Sequence, residues 1–394
     1  MFELGKDLED FRAVVREFAA EHVAPHAARW DREHRFPAEL VPKMGDLGLF
    51  GLVVPEDLGG SDTGEGGFTA LCVAIEELGR VDQSAGITLS AGVGLGITPI
   101  LAYGSPEQQQ RWLPDLVAGR ALAAFGLTEP DAGSDAGATR TRARLERGEW
   151  VLDGAKAFIT NSGTELTSVV TVTARTGVNP DGSPELSAVL VPAGTPGMTV
   201  EPAYDKLGWR ASDTHGITFA GARVPEANLL GTRGNGYRQF LATLDDGRVA
   251  ISALALGLAR ACLELSVDYA KTRVAFGRPI GANQGVAFPV ADLAVQVQAA
   301  HNLVYQAAWL RDELQAGRRP ATQVKQAAAA AKLFASQTAM TAARTATQVF
   351  GGNGFMEEFP VARFYRDAKI LEIGEGTSEV QRIVIARSLG LLAG

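Results

Sequence analysis

Mainly helical, with one β domain set between two helical ones, is the fold class that three observations predict. Leu8, Phe11, Val14, Val15 and Phe18 recur at helical spacing, and the helical pattern continues as far as Val117. From about Ala121 the character changes. Thr and Val become common, apolar and polar residues alternate, and turns follow closely at Arg147-Gly148, Asn179 to Gly182, Ala193-Gly194 and Pro196-Gly197. After Gly231 to Gly236 the helical pattern returns in spans of roughly 30 residues, long for globular helices and suited to an antiparallel bundle. The order predicts domains at 1–120, 121–232 and 233–394, the middle one a small barrel or sandwich.

Each element has its own signal. Pro37 opens a helix running through Leu47, and Phe68 to Leu78 forms another. Gln83 to Pro106 carries no charge, but Gly86, Gly92, Gly94, Gly96 and Pro99 interrupt it and Asp82 and Glu107 flank it, so a buried small-residue helix is expected, not a membrane span. Pro106 to Val117 continues the helical pattern. Ser168 to Thr173, Ser187 to Val191 and Gly216 to Phe219 read as strands. Gly236 to Thr272, Gln284 to Ala316 and Pro320 to Phe350 each read as one long helix, and the small side chains of Ala327 to Ala331 permit close helix approach. Val380, Ile383, Val384, Ser388 and Leu389 mark a terminal helix.

Composition narrows the function. A hydrophobic share of 46% with 21% charged residues describes a globular chain, and a formal charge of −8 argues against nucleic acid as the main partner. Cys72 and Cys262 lie inside apolar helical patterns and read as buried free thiols of a reducing compartment. Acids appear early after Met1 with no apolar core, so no signal or transit peptide is expected and the cytoplasm is the expected location. Gly92, Gly94 and Gly96 neither complete the dinucleotide fingerprint nor follow a strand. Phosphate-loop, zinc-protease and nucleophile-elbow motifs do not occur, and His22 and His26 have no apparent third ligand, so no metal is expected.

Chemistry concentrates in a few segments. Glu375 lies between Gly374 and Gly376, where the backbone can approach a ligand closely and partial burial would raise a carboxyl toward the working pH of a general base. Phe125 to Asp135 ends a strand in a loop that carries the hydroxyls of Thr128 and Ser134, its path fixed by Pro130 and Gly133. Phe158 and Thr160 stand two apart, on one face of a strand, where ring and hydroxyl suit a flat heterocycle. Gly351, Gly352 and Gly354 follow a long helix, as a cap or as an anion-binding run of amides. Arg273 offers a guanidinium for a pyrophosphate.

Taken in order, these segments resemble the acyl-CoA dehydrogenase family over about residues 5–392. The resemblance rests on Thr128-Glu129-Pro130 with Ala132-Gly133-Ser134-Asp135, Phe158 to Asn161, Arg273 with Phe276-Gly277, Gln348 with Gly351 to Gly354, and Glu375 to Thr377. It implies an N-terminal helical domain, a middle β-barrel, a C-terminal four-helix bundle and FAD as cofactor. By similarity Phe125, Leu127, Thr128, Ser134, Phe158, Ile159, Thr160, Thr377 and Glu379 line the flavin. Arg273, Phe276, Gln284, Gln348, Gly351 and Gly352 match positions that hold the adenosine diphosphate half of a neighbouring subunit's cofactor. A complete site then needs at least a dimer, and a homotetramer, a dimer of dimers, is the family's usual state. Ser134, Asp245, Arg248 and Gly376 match substrate-contact positions.

The implied reaction is α,β-dehydrogenation of an acyl-CoA thioester to the trans-2-enoyl-CoA. Glu375 removes the α-proton while the β-hydride passes to flavin N5, and an electron-transferring flavoprotein is the implied acceptor. Some relatives carry the base just before the arginine of Leu244 to Arg248, where this chain has Gly247; Asp246 points roughly 100° away on a helix. Three departures stand out: Gly374 replaces an aromatic, Phe158 replaces the more frequent Trp, and Ala275 replaces a hydroxyl residue. Gly374 implies a wider acyl pocket that tolerates branched groups. Rival readings are an acyl-CoA oxidase, a related flavoenzyme acting on a non-CoA substrate, and a silent scaffold with the same fold; a flavin absorbance band and a comparison of air with flavoprotein as oxidant separate them.

Overall fold

The computed structural model describes residues 3–392. The first part is helical: α1 (Lys6–His22), α2 (Ala27–Glu33), α3 (Leu40–Asp46), α4 (Gly67–Val81), α5 (Gln83–Ser90), a π-helical stretch at Ala91–Ile97, α6 (Thr98–Tyr103) and α7 (Pro106–Val117). α7 starts where its residues dictate. Ser105 and Gln108 form a reciprocal capping box, and Pro106 occupies the first turn, where its missing N–H costs nothing. The helix expected from Pro37 begins instead at Leu40, because Pro37 sits in a turn whose carbonyl accepts from the Leu40 N–H at 2.9 Å.

The middle of the chain forms β1 (Leu122–Gly126), β2 (Arg142–Glu146), β3 (Glu149–Thr160), β4 (Thr167–Val178), β5 (Pro184–Pro192), β6 (Met198–Ala203), β7 (Thr214–Pro225) and β8 (Leu229–Leu230). Their order is β6-β7-β3-β2-β4-β5-β8, with β1 parallel to β4. The strands surround one apolar core that includes Trp150, Leu152, Val170, Val189, Ile217 and Phe219. The sheet order ends at β6 and β8, so barrel closure is by packing and not by a continuous ladder.

The rest is α8 (Gly236–Thr272), a small hairpin of β9 (Val274–Ala275) and β10 (Arg278–Pro279), α9 (Gln284–Gln315), α10 (Ala321–Phe350), α11 (Pro360–Ala368) and α12 (Ser378–Ser388). α8 is the spine. A Cβ added at Gly79 or Gly86 would lie 2.5 or 2.4 Å from Leu254 Cδ1, so the α4 and α5 glycines allow helix contact at that point. Across the spine, Ala328, Ala331, Ala335, Ala339 and Ala342 are fully buried, and α10 approaches closely, as the alanine run predicts. Cys72 and Cys262 are free and buried in these helices.

Buried charges stitch the helical layers together. Glu76 and Glu77 on α4 meet Arg12 and Arg16 of α1 and Arg260 of α8, and Tyr305 of α9 donates its hydroxyl to Glu76. Two stretches, Gln83–Tyr103 and Gly236–Thr272, are long and apolar enough to cross a membrane by length and composition, but 78% of the most apolar window of each is buried inside the fold. They are core helices.

Candidate active site

Glu375 sits in the turn between α11 and α12 with φ 55°, a left-handed conformation that a non-glycine residue adopts only where its surroundings enforce it. Gly376 follows at φ 89°, so the two residues reverse the chain and aim the Glu375 side chain back at the bundle. It reaches α8. A Cβ added at Gly247 would lie 2.6 Å from Glu375 Oε2, so glycine there is what makes room for the carboxylate. Asp246, one residue earlier, is turned away and accepts from Arg311 Nε at 2.6 Å.

Oε2 of Glu375 is buried and has no hydrogen-bond partner among the described residues. Burial pushes the carboxyl up to about 7, while Arg248 and then Lys332 draw it back by favouring the anion. Nor does any acceptor take the Glu375 backbone N–H among the described residues. Arg248 is itself buried and donates from Nη1 to Asp245 Oδ1 at 2.5 Å, which fixes the guanidinium beside the loop. Burial raises Asp245, partly offset by that same arginine.

Two partners of this loop escaped the sequence reading. Lys332 of α10, fully buried, donates from Nζ to the Gly376 carbonyl at 2.7 Å. Gln381 of α12 donates from Nε2 to the same carbonyl at 2.9 Å and to the Glu375 carbonyl at 3.3 Å. A lysine directly after an alanine run was the available signal, since a buried polar residue is more informative than the apolar ones around it. Thr377 caps α12, its Oγ1 accepting the Val380 N–H at 3.3 Å, and Glu379 is exposed and paired with Arg382.

Phe125, Leu127, Thr128, Phe158 and Thr160, expected to line the flavin, lie on neighbouring strand ends and loops of the β domain. Phe125, at the end of β1, stacks on Phe240 of α8 with ring centres 4.0 Å apart, so this strand end meets the bundle. Leu127 and Thr128 follow, and the Thr128 carbonyl accepts the Ala157 N–H of β3 at 2.8 Å. Glu129 locks the loop. It accepts from Lys156 Nζ at 2.7 Å and from the N–H groups of Arg140 and Thr141 at 2.7 and 3.0 Å. Burial alone would raise Glu129, but Lys156 and these hydrogen bonds hold it below the usual carboxylate range. Ser134 lies exposed farther along the loop.

Simple strand alternation does not carry Phe158 and Thr160 to one face. The β3–β7 register shifts between Lys156 and Ile159, and Phe158 takes φ 60°, so a bulge breaks the alternation. The bulge throws the Phe158 ring outward, 66% exposed, 5.1 Å from the Tyr204 ring, while Ile159 stays buried. An outward ring, a partly buried Thr160 and the adjoining Thr128 loop make an open apolar and polar shelf that fits a flavin.

The remaining cofactor positions lie elsewhere. Arg273 ends α8, Phe276 is fully exposed at the tip of the β9–β10 hairpin with φ 53°, Gln284 begins α9, and Gln348 with Gly351 and Gly352 ends α10. Antiparallel packing brings these ends together, and Asn353 Nδ2 donates to Tyr269 OH at 3.0 Å. From Gly247 to Arg273 along one helix is roughly 40 Å. The Glu375 contact therefore lies about a third of the way along the spine and the Arg273 group at its far end.

The chain matches three family models in order: acyl-CoA dehydrogenase N-terminal domain over 5–120, middle domain over 124–222 and C-terminal domain over 234–390. It is 48% identical over 389 residues to a probable acyl-CoA dehydrogenase, YngJ, of Bacillus subtilis, covering 98% of this chain and 99% of that one. The structure superposes on butyryl-CoA dehydrogenase from Megasphaera elsdenii with TM-score 0.92 and 39% identity over 99% of both chains. It also superposes on a glutaryl-CoA dehydrogenase from Mycobacterium smegmatis in complex with FADH2, with TM-score 0.91 and 31% identity over 99% of this chain and 96% of that one. With all three domains matched and the architecture shared end to end, the chain belongs to the acyl-CoA dehydrogenase family of FAD-dependent enzymes.

Proposed function

We propose that Glu375 is the base that takes the α-proton of an acyl-CoA thioester, giving the trans-2-enoyl-CoA. The observation that carries this reading is the Glu375 carboxyl: its Oε2 is buried with no partner among the described residues, and burial raises the group to about 7. Such a group is largely ionised just above neutrality yet basic enough to accept a proton, the compromise a general base needs. The Glu375 N–H supplies a donor for the thioester oxygen, where negative charge grows as the α-proton leaves. Ser134, Asp245, Arg248 and Gly376 frame the thioester and its CoA portion. Bound FAD would supply the two-electron acceptor for the β-hydride.

For the cofactor, Phe125, Leu127, Thr128, Ser134, Phe158, Ile159, Thr160, Thr377 and Glu379 hold the flavin half. Arg273, Phe276, Gln284, Gln348, Gly351 and Gly352 hold the adenosine diphosphate half bound mainly by a second copy. The separation along α8 supports this sharing, as do the exposed Val274, Phe276 and Phe355 at that end, which invite a subunit contact. A homotetramer is the assembly that suits it, with an electron-transferring flavoprotein as acceptor. The two free thiols suit the cytoplasm. Arg273→Ala should lower the flavin content of purified protein and loosen the assembly; unchanged flavin absorbance per subunit would remove the pyrophosphate role.

Gly374 sets the acyl end. A Cβ there would meet nothing nearer than the Ile370 carbonyl at 3.5 Å, an ordinary contact, so crowding does not demand glycine and its missing side chain leaves room at this point. Anaerobic flavin bleaching across an acyl-CoA panel should therefore accept branched chains alongside straight ones. Strict preference for short straight chains would count against the wider pocket.

A further inference from the structure

Lys332 takes no part in the chemistry just proposed, yet it sits under the base. It is the one cation in a stretch of α10 where Ala328, Ala329, Ala331 and Ala335 are fully buried, and its own side chain is wholly excluded from solvent. An ammonium in that position is costly unless it is hydrogen-bonded and offset by opposite charge. Its bond goes to a carbonyl, that of Gly376, and not to a carboxylate. The opposite charge comes from Glu375 first, then from Glu372 and Glu379, while Arg248 on α8 opposes it. Burial brings Lys332 down to about 8, so it remains mostly charged at neutral pH.

Resting on the assignment of Glu375 as the base, we propose that Lys332 is its positioning residue. Lys332 anchors the Gly376 carbonyl from beneath, holds the Glu375 backbone in its left-handed turn, and supplies positive charge below the carboxylate. The geometry supports the anchoring part. With Gln381 it clamps the carbonyl of the Gly376–Thr377 peptide from two helices, and Gln381 also holds the Glu375 carbonyl of the preceding peptide at 3.3 Å, so the turn cannot reorient without breaking these bonds. The charge part follows because Lys332 is buried without a carboxylate partner of its own among the described residues, and Glu375 is the foremost opposite charge acting on it. Lys332 in turn stands second to Arg248 among the cations that favour the Glu375 anion.

The test uses two variants of the FAD-loaded enzyme without substrate. Lys332→Met removes the bond and the charge; Lys332→Gln keeps an N–H for Gly376 and removes only the charge. Infrared titration follows the Glu375 carboxyl, identified as the band missing from Glu375→Gln. In both variants the midpoint should rise, by about one pH unit, the low end of the shift a nearby opposite charge gives a carboxylate. Lys332→Met should also lower kcat beyond Lys332→Gln with KM little changed. An unmoved midpoint in Lys332→Gln overturns the proposal, and that variant decides alone if Lys332→Met fails to fold. A merely structural lysine would cost stability and leave the midpoint in place. Failure of the base assignment is a separate result, namely retained turnover in Glu375→Gln.

Discussion

Glu375→Gln is expected to purify as a yellow, folded protein whose turnover of acyl-CoA has fallen by about 10²- to 10⁴-fold, the scale of a lost general base. The amide keeps the size and planarity of the carboxyl, so the contact against Gly247 and the clamp on Gly376 survive. What disappears is the lone pair that accepts the α-proton. Flavin absorbance should be unchanged, because the amide leaves the shape of the site intact. In the unaltered enzyme, kcat/KM should climb as pH rises through about 7: the burial that raises Glu375 keeps it protonated, and useless as a base, on the acid side. Activity surviving in the glutamine variant, or a pH profile flat between 5 and 8, would dismiss the assignment.

Glu129→Ala should cost about 3–5 kcal/mol of stability, the toll of leaving a buried cation without its partner. Glu129 and Lys156 are almost fully buried, and Glu129 also accepts two backbone N–H groups that have no replacement in the alanine variant. Lys156, lowered to about 8 by burial against the pull of Glu129, is charged at neutral pH and would be stranded. Because Glu129 is held below its ordinary range, its contribution is present at neutrality and fades as pH falls through the folded value. Thr128 precedes it directly, so flavin retention should weaken together with stability. Chemical denaturation would read the first effect and flavin content the second. A loss under about 1 kcal/mol would mean that water reaches the site. The double variant Glu129→Leu with Lys156→Met should recover only part of the stability, since it removes both charges together but still leaves the Arg140 and Thr141 N–H groups without their acceptor.

How much of this was legible beforehand depended on whether the signal was local. α7 and α8 run between the residues that the pattern marks, because a capping box at Ser105 and a helix-ending Arg273 in extended conformation are written in neighbouring side chains. The Glu375 turn was legible for the same reason: two flanking glycines announce it. The bulge at Phe158 was not, since a phenylalanine at positive φ has no propensity to betray it, and only pairing with β7 enforces it. The π-helical stretch hid inside an uncharged run that also fits an ordinary helix. Lys332 was obscured by the alanines beside it, whose helix-forming tendency explains the segment without asking what one lysine does there. Its meaning comes from a loop 44 residues away in sequence.

The length of α8 has a genetic corollary. The first third of that rod serves the chain's own reaction centre, and on the proposed sharing the far end serves a neighbour's. A lesion near Arg273 would then harm a partner and spare the mutated copy's own chemistry, whereas a lesion near Gly247 would do the reverse. Two differently damaged alleles in one cell could thus reconstitute an intact centre that neither builds alone.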